Sequence, residues 1–499
     1  MDFQRRREKG GNKKGKGIVI MEQNTMKYKV KQYLMFAGVS TVLFSAVVIL
    51  PFIYGLYLTF TSWDGVSKDK PFVGLANYIA TFQDAAYWQA LGRTLIYSVI
   101  AVILVNVVAF FLAYLLTSGI KGQNFFRAGF FVPNLIGGIV LGYVWKFVFN
   151  RAFVSLGKSL SVGALSTSWL ATTNGAMACL IIVSVWQYAG YMMLIYVAGF
   201  MSVSKSLMEA AQIDGCTKTQ ATINVTIPLM RSSFVQCLFL TITRCFMVYD
   251  VNLSLTKGDI TVDPLALVGS HGFILTNFTD AMKKMNFATS FTNSLLITTV
   301  STILTILLSA MTAFVIVRNK WKACGILFSL MIASMVIPFQ VLMIPLVSLY
   351  GGIFGVLNSR ITLILMHVGF SLSMATFMFH GAIHTSVPME LEEAAFIDGC
   401  TRWQTYWKIV FPLLKPTIAT VAIIDAMAFW NDYLLPSLVL GRKELYTLPI
   451  ATQAFYGTYS TDLGLVMAAL LLAMLPILVL YLFLQRYIVE GVTSGAVKG

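Results

Sequence analysis

Long apolar runs separated by short polar connectors fill most of this chain. Leu34–Phe60 and Leu463–Leu484 are two of them. Each is long enough to cross a bilayer, which takes ~18–20 apolar residues. The runs predict ten spans, near 34–62, 94–117, 128–148, 175–200, 232–249, 290–317, 325–350, 361–384, 417–440 and 463–484. Helices are expected because backbone groups in lipid must bond within their own segment. The ~10-residue alternating segments of a membrane β-barrel are not found.

Composition supports this reading. The chain is 57% hydrophobic and only 11% charged, against about 25% charged in soluble chains. The net charge of +15 raises nucleic acid as a partner, but its placement argues against one. Residues 1–31 hold ten Lys or Arg against three acids, the signature of a cytoplasmic flank and of contact with anionic lipid. No aromatic–basic interleaving supports nucleic-acid binding. The basic tail is not followed promptly by the apolar and small-residue pattern of a cleavable signal, and Met21 or Met26 is a candidate start. Gly10–Lys16 resembles a phosphate-binding loop, but Gly17 stands where Ser or Thr would hold Mg²⁺, and no strand precedes it. The six cysteines form no CxxC and read as small buried thiols.

One polar stretch occurs twice. EAAQIDGCT at 209–217 returns as EAAFIDGCT at 393–401. At an offset of 184, residues 209–229 and 393–413 agree at 11 of 21 positions without a gap. The fold class expected is therefore all-α: a polytopic helical membrane protein of about ten transmembrane helices in two pseudo-repeated halves. Both copies fall on the cytoplasmic side, after spans four and eight, and parallel repeats imply a pseudo-two-fold axis along the membrane normal. Both termini are expected inside.

Each copy reads as a short helix, a sharp turn and a second helical piece. Ser206 to Glu209 suggests a capping box, and Pro388 a first-turn proline in the second copy. Ala210, Ala211 and Ile213 suggest a small apolar patch beside Glu209. Asp214-Gly215 and Asp398-Gly399 read as helix stops. The second piece is expected to run to Pro228 and Pro412, where the next span begins. Such a compact knob suits close docking of a partner. An interfacial hairpin serving only the chain itself fits the same pattern.

These residues resemble the EAA loop of ABC importer permeases, and more narrowly the carbohydrate-uptake branch of the maltose-importer kind. Residues 30–258 resemble its first subunit, through PNLIGGIVLGYVWKFVFN, the EAA loop and FMVYDVNLSLTKG. Residues 264–499 resemble its second, through FTNSLL, IPFQVLMIPL, VPMELEEAAFIDGC, FPLLKP, FWNDYLLPSL and GVTSGAVKG. The resemblance implies a bacterial cytoplasmic (inner) membrane location. It implies two ATPase subunits as partners, an extracytoplasmic solute-binding protein and a sugar substrate. ATP and Mg²⁺ would be held by the ATPase, with no cofactor and no catalytic group in this chain. Glu209, Ala210, Ala211, Asp214 and Gly215, with Glu393, Ala394, Ala395, Asp398 and Gly399, become the ATPase-coupling residues. Cys216 and Cys400 stand where the family usually has small residues. Such subunits usually have six spans each, whereas here each half has five. The first half lacks its last span and the second its first, and both losses meet in loop 250–289.

The organisation expected is a basic tail, 1–31, and a first permease half, 32–258, with its EAA loop at 204–231. A joining loop, 259–289, leads to a second half, 290–485, with its EAA loop at 386–416, and then a tail, 486–499. Charges within spans usually face a cavity, which singles out Arg244 and Asp425 as a structural pair or part of a sugar path. Tyr249 and Asp250, with Trp430, Asn431 and Asp432, combine aromatic faces with polar acceptors suited to a sugar, though helix packing is the safer reading. His367 and His380 read as core histidines, since no carboxylate or cysteine cluster accompanies them. The alternatives are an ion-coupled secondary transporter, which would place carboxylates or broken helices at the midplane, and a non-functional fusion lacking two spans.

Overall fold

A computed structural model describes residues 26–256, 276–455, 468–476 and 479, except Val66, Lys68 and Lys320. The tail before residue 26, most of the joining loop, most of the predicted span 463–484 and the C-terminal tail lie outside the described residues. The rest is almost entirely helical, as the apolar runs predict. Five helices are long and apolar enough to cross a membrane: Met26–Leu58, Ala85–Thr117, Thr173–Met201, Phe287–Arg318 and Arg360–Ser386. Three bent helix pairs bring the number to eight if each counts as one span.

Bends replace two of the straight spans expected, and two more fall where an EAA stretch meets its following span. Lys322–Ser334 and Phe339–Ile353 meet at 101°. Pro338 caps the second helix with an extended backbone, φ −63° and ψ 136°. Proline has no N–H to donate and disfavours the helical conformation of the residue before it. The span expected at 128–148 breaks in the same manner. Helix Gln123–Phe131 gives way to a 3₁₀ turn at Val132–Leu135, with Pro133 near its start, before Gly138–Phe147 begins. The remaining two bends follow the EAA stretches. The expected loop 250–289 is helical at both described ends, over Tyr249–Thr256 and Thr276–Lys284.

The described residues fall into two compact units. The larger is drawn from Phe52–Val300, Pro338–Ile364 and Ala422–Gly499. At its centre, helix Ala85–Thr117 packs on Thr173–Ser202. Ala101, Val105, Ala109 and Ala113, four residues apart, form a buried seam that lets two backbones approach closely, the usual basis of helix association in lipid. The opposite face carries exposed Ile96, Val99, Ile103, Val107 and Phe111. Large exposed apolar residues opposite a small-residue seam mark a lipid-facing surface. Buried hydroxyls are paired across the helices. Tyr97 Oη lies 2.7 Å from Ser184 Oγ, and Tyr196 Oη donates to Asn106 Oδ1 at 2.8 Å. A side chain at Gly190 would collide with the Phe130 carbonyl oxygen, so glycine is required there for close approach.

The smaller unit is drawn from Met1–Pro51, Ser301–Ile337 and Leu365–Val421. Helix Phe287–Arg318 contributes Ser301, Thr305, Ser309 and Thr312 to its interior. Thr312 donates to Ser40 Oγ at 2.7 Å, and Ser40 Oγ lies 3.2 Å from the Leu308 carbonyl. Two helices are stitched together by short hydroxyls that also permit close packing.

Candidate coupling site

The second EAA stretch lies in the smaller unit. Its helix runs over Met389–Ile397, with Pro388 at the N-cap rather than in the first turn, and with Glu390 and Glu392 in the first turn. Acids there complement the positive end of the helix dipole. Asp398 ends the helix, and Gly399 takes φ +84°. The Gly399 N–H donates to the Phe396 carbonyl at 3.1 Å, and the Cys400 N–H donates to the Ala395 carbonyl at 2.9 Å. This pair of bonds is a Schellman stop, which demands a left-handed residue at the glycine position. Thr401 then caps the next helical piece. Its hydroxyl accepts from the Gln404 N–H at 3.3 Å, and its own N–H donates to Gln404 Oε1 at 2.9 Å. A helical turn, Arg402–Thr405, passes into a π-turn at Tyr406–Val410 and on through Pro412 to Leu413. After Leu414 the chain turns by 75° into helix Lys415–Asn431.

The first stretch, in the larger unit, has the same local backbone. Helix Lys205–Ile213 ends at Asp214, and Gly215 takes φ +80°. Gly215 N–H donates to Gln212 at 3.1 Å, and Cys216 N–H donates to Ala211 at 2.9 Å. Thr217 and Gln220 form the same reciprocal cap at 2.9 and 3.3 Å. A π-turn follows at Thr222–Thr226, and a 70° bend leads to Ser233–Phe246. The helix N-cap is Ser204, without a side-chain cap bond, so Ser206 does not form the expected capping box. The real box, Thr-x-x-Gln, begins at Thr217 in the first copy and at Thr401 in the second. Its sequence signal is TKTQ and TRWQ, a local pattern that Ser206 and Glu209 match equally well.

The sequence-chosen residues divide by direction. Glu209, Ala210, Asp214 and Gly215 are exposed, as are Glu393, Ala394, Asp398 and Gly399. Ala211 and Ala395 are buried instead of completing an apolar patch. The second alanine of each pair faces inward because one helical step turns it by about 100°. The most exposed large apolar residue of each loop helix is its isoleucine: Ile213 at 86% and Ile397 at 71% exposure. A protruding isoleucine flanked by an outward acid and a left-handed glycine is a projecting plug, not a flat patch. Both helices continue through Pro228 and Pro412, and the bends come two residues later.

Beneath the second copy lies an aromatic bed that sequence reading missed. Tyr406, fully buried, contacts Phe36, Phe314, Trp407 and Phe411, with ring centroids 5.0–5.9 Å apart. Trp403, Tyr406, Trp407 and Phe411 recur at helical spacing, which was the available signal. Arg402 stacks over Phe396 at 5.0 Å.

The substrate-path candidates lie apart from these loops in the chain. Arg244 sits over the rings of Tyr188 and Tyr191, at 5.5 and 5.3 Å, an arrangement worth about 0.5–2 kcal/mol. Asp425 is buried within helix Lys415–Asn431. Trp430 donates to the Ala473 carbonyl at 3.1 Å, and Asn431 donates to the Leu135 carbonyl at 2.7 Å. Asp432 Oδ1 accepts from the Leu434 N–H at 3.1 Å. A small cleft is lined by Gly137, Trp430, Asn431, Tyr433, Pro449, Ala473 and Met474. Tyr249 is exposed and begins helix Tyr249–Thr256, which also contains Asp250; the Asp250 side chain lies outside the described residues. His380 stacks on Phe328 at 4.2 Å, and among the described residues no group of three His, Cys, Asp or Glu is placed to hold a metal.

Long apolar helices and Pro-broken spans make this a polytopic helical membrane protein. The chain belongs to the family of binding-protein-dependent transport system inner membrane components, whose model matches residues 106–316 and again 305–494. It is thus a permease component. It is 39% identical over 253 residues to the probable starch degradation products transport system permease protein AmyC of Thermoanaerobacterium thermosulfurigenes, covering 51% of this chain and 90% of that one. It is 39% identical over 226 residues to the AmyD permease of the same organism, covering 45% and 77%. A bacterial ABC transporter involved in importing the acidic polysaccharide alginate has a crystal structure 17% identical to this chain, with TM-score 0.40 over 55% of this chain and 98% of the other.

Proposed function

We propose that this chain is the permease of an ATP-driven importer for a sugar or oligosaccharide, coupled to separate ATPase subunits through its two EAA loops. The observation that carries the reading is the repeated plug: an exposed isoleucine, an outward glutamate and a glycine-locked turn, twice, in a chain of this family. Similarity to permeases named for starch degradation products supports a carbohydrate cargo. Glu209, Ala210, Ala211, Asp214 and Gly215, with Glu393, Ala394, Ala395, Asp398 and Gly399, form the coupling elements. Two ATPase subunits hold ATP and Mg²⁺, and a solute-binding protein delivers the sugar outside. Arg244, Tyr249, Asp250, Asp425, Trp430, Asn431 and Asp432 contribute to the path or its walls. Closing of the ATPase dimer then shifts the equilibrium between inward and outward states, which requires different contacts in the two states.

The arrangement proposed is ten spans in two halves, 32–258 and 290–485, in a bacterial cytoplasmic membrane with both termini inside. In proteoliposomes carrying the chain, its ATPase and its binding protein, oligosaccharide uptake is expected to follow ATP hydrolysis and to survive a proton uncoupler. Uptake abolished by the uncoupler at constant ATP would instead mark an ion-coupled carrier. Topology has a separate test. In a background stripped of native thiols, Leu160→Cys and Lys443→Cys are expected to react with an impermeant reagent from outside, and Ile213→Cys and Ile397→Cys only after permeabilisation. Outside labelling at 213 or 397 would end the docking reading.

A further inference from the structure

We infer that Arg318 is a positioning residue that locks the second coupling loop to helix Phe287–Arg318. The inference rests on the proposed docking of Met389–Ile397 on an ATPase. Arg318 lies in the last turn of its helix. Its Nε donates to Glu392 Oε1 at 2.7 Å, and its Nη2 donates to the Val387 carbonyl at 2.7 Å. One guanidinium thus holds both the loop helix and the link that leads into it. The ion pair is buried, with side-chain exposures of 9% for Arg318 and 0% for Glu392. Glu392 Oε2 has no hydrogen-bond partner among the described residues, so Arg318 supplies the ion-pair contact that holds this carboxylate.

Two helix ends reinforce the contact. A cation belongs at the C-terminus of one dipole and an anion near the N-terminus of the other. Planar two-atom donation is specific to arginine. Successive acids also divide the work: Glu392 points in and anchors, while Glu393 points out toward a partner. Removing one member of a buried pair leaves the other charge buried and uncompensated.

The first loop lacks this brace. At the repeat offset, Glu392 corresponds to Met208, whose sulfur is approached by the Thr226 hydroxyl at 3.4 Å. A thioether contact is adaptable and weakly directional. The two loops therefore differ in stiffness: the second moves with helix Phe287–Arg318, and the first is freer to tilt. Displacement imposed by an ATPase on the second loop passes directly into a spanning helix.

The test uses the full chain with its ATPase and binding protein in proteoliposomes. Three quantities are read: ATPase retained on purification, solute-stimulated over basal hydrolysis, and amide exchange at 389–397 against 205–213. Arg318→Gln and Glu392→Gln are each expected to retain the ATPase and to lose about tenfold in stimulated hydrolysis. Exchange is expected to rise about tenfold at 389–397 and to stay unchanged at 205–213. Arg318→Lys, which keeps the charge but not the fork, is expected to fall between. The Arg318→Gln/Glu392→Gln double variant is expected to lose no more than either single one, as residues acting through one contact do, and it carries the test if a single variant fails to insert. Ile397→Asp is the control for docking. If it releases the ATPase while both neutral variants keep stimulated hydrolysis and exchange unchanged, the brace is wrong. If it leaves the ATPase bound and stimulated, the docking reading itself fails.

Discussion

Gly399→Pro is expected to leave the chain inserted and to reduce solute-stimulated ATP hydrolysis by about tenfold or more, as does loss of an interaction made only in the coupled state. Gly215→Pro is expected to do the same from the first loop. Both glycines sit at positive φ, +84° and +80°, where proline, fixed near −65°, does not fit. Each also donates its N–H to the carbonyl three residues earlier, and proline has none to donate. The fixed φ excludes the left-handed turn, and losing the hydrogen bond costs about 0.5–1.5 kcal/mol. The plug isoleucine, two residues earlier, is then re-aimed. The spans are untouched, so membrane yield should match the parent. Asparagine tolerates the left-handed region, so Gly399→Asn should retain most coupling. Full stimulated hydrolysis in both proline variants, with uptake intact, would remove the loops from the coupling path.

On the reading of five spans in each half, this chain is expected to take up its sugar at least about tenfold more slowly than a pair of chains in which each half carries a sixth span. The reason lies at the join. Residues 305–316 fall within both family matches, so helix Phe287–Arg318 stands at the end of one and the start of the next. Helix association in lipid depends on close packing and polar contacts rather than an aqueous hydrophobic drive, so insertion should survive. A solute path is less forgiving, because a missing wall admits lipid. The measurement is uptake in vesicles carrying equal amounts of the fused chain and of the restored pair, each with ATPase and binding protein. Equal rates would mean that the shared helix closes both bundles.

Much of this was legible without coordinates. The helix stops at Asp214-Gly215 and Asp398-Gly399 were correctly located, because an Asp-Gly pair after an apolar helix face has few other uses. The capping box was misplaced, since Ser206 matched a local pattern as well as Thr217 did and only the backbone decides between them. Straight spans at 128–148 and 325–350 were expected because hydropathy does not register direction. Pro133 and Pro338 carried the missing information, yet a proline in a membrane helix is also compatible with a mild kink. Trp430 and Asn431 carry groups suited to a sugar, but helix packing is the safer reading of them. In the structure their N–H groups donate to the Ala473 and Leu135 carbonyls, which makes them at least in part packing residues.

The sequence by itself determined the helical membrane class, the duplicated loop and its glycine turns, and the family. Each is set by local composition or short-range pattern: apolar length, Asp-Gly chemistry, eleven matched positions. The tertiary structure alone decided which alanine faces inward, that Ile213 and Ile397 form the exposed tips, and that Arg318 reaches Glu392 across 74 residues of chain. Orientation and long-range pairing depend on what each face packs against. A one-dimensional pattern gives an acid next to an acid; only the fold turns Glu392 into the protein and leaves Glu393 outside.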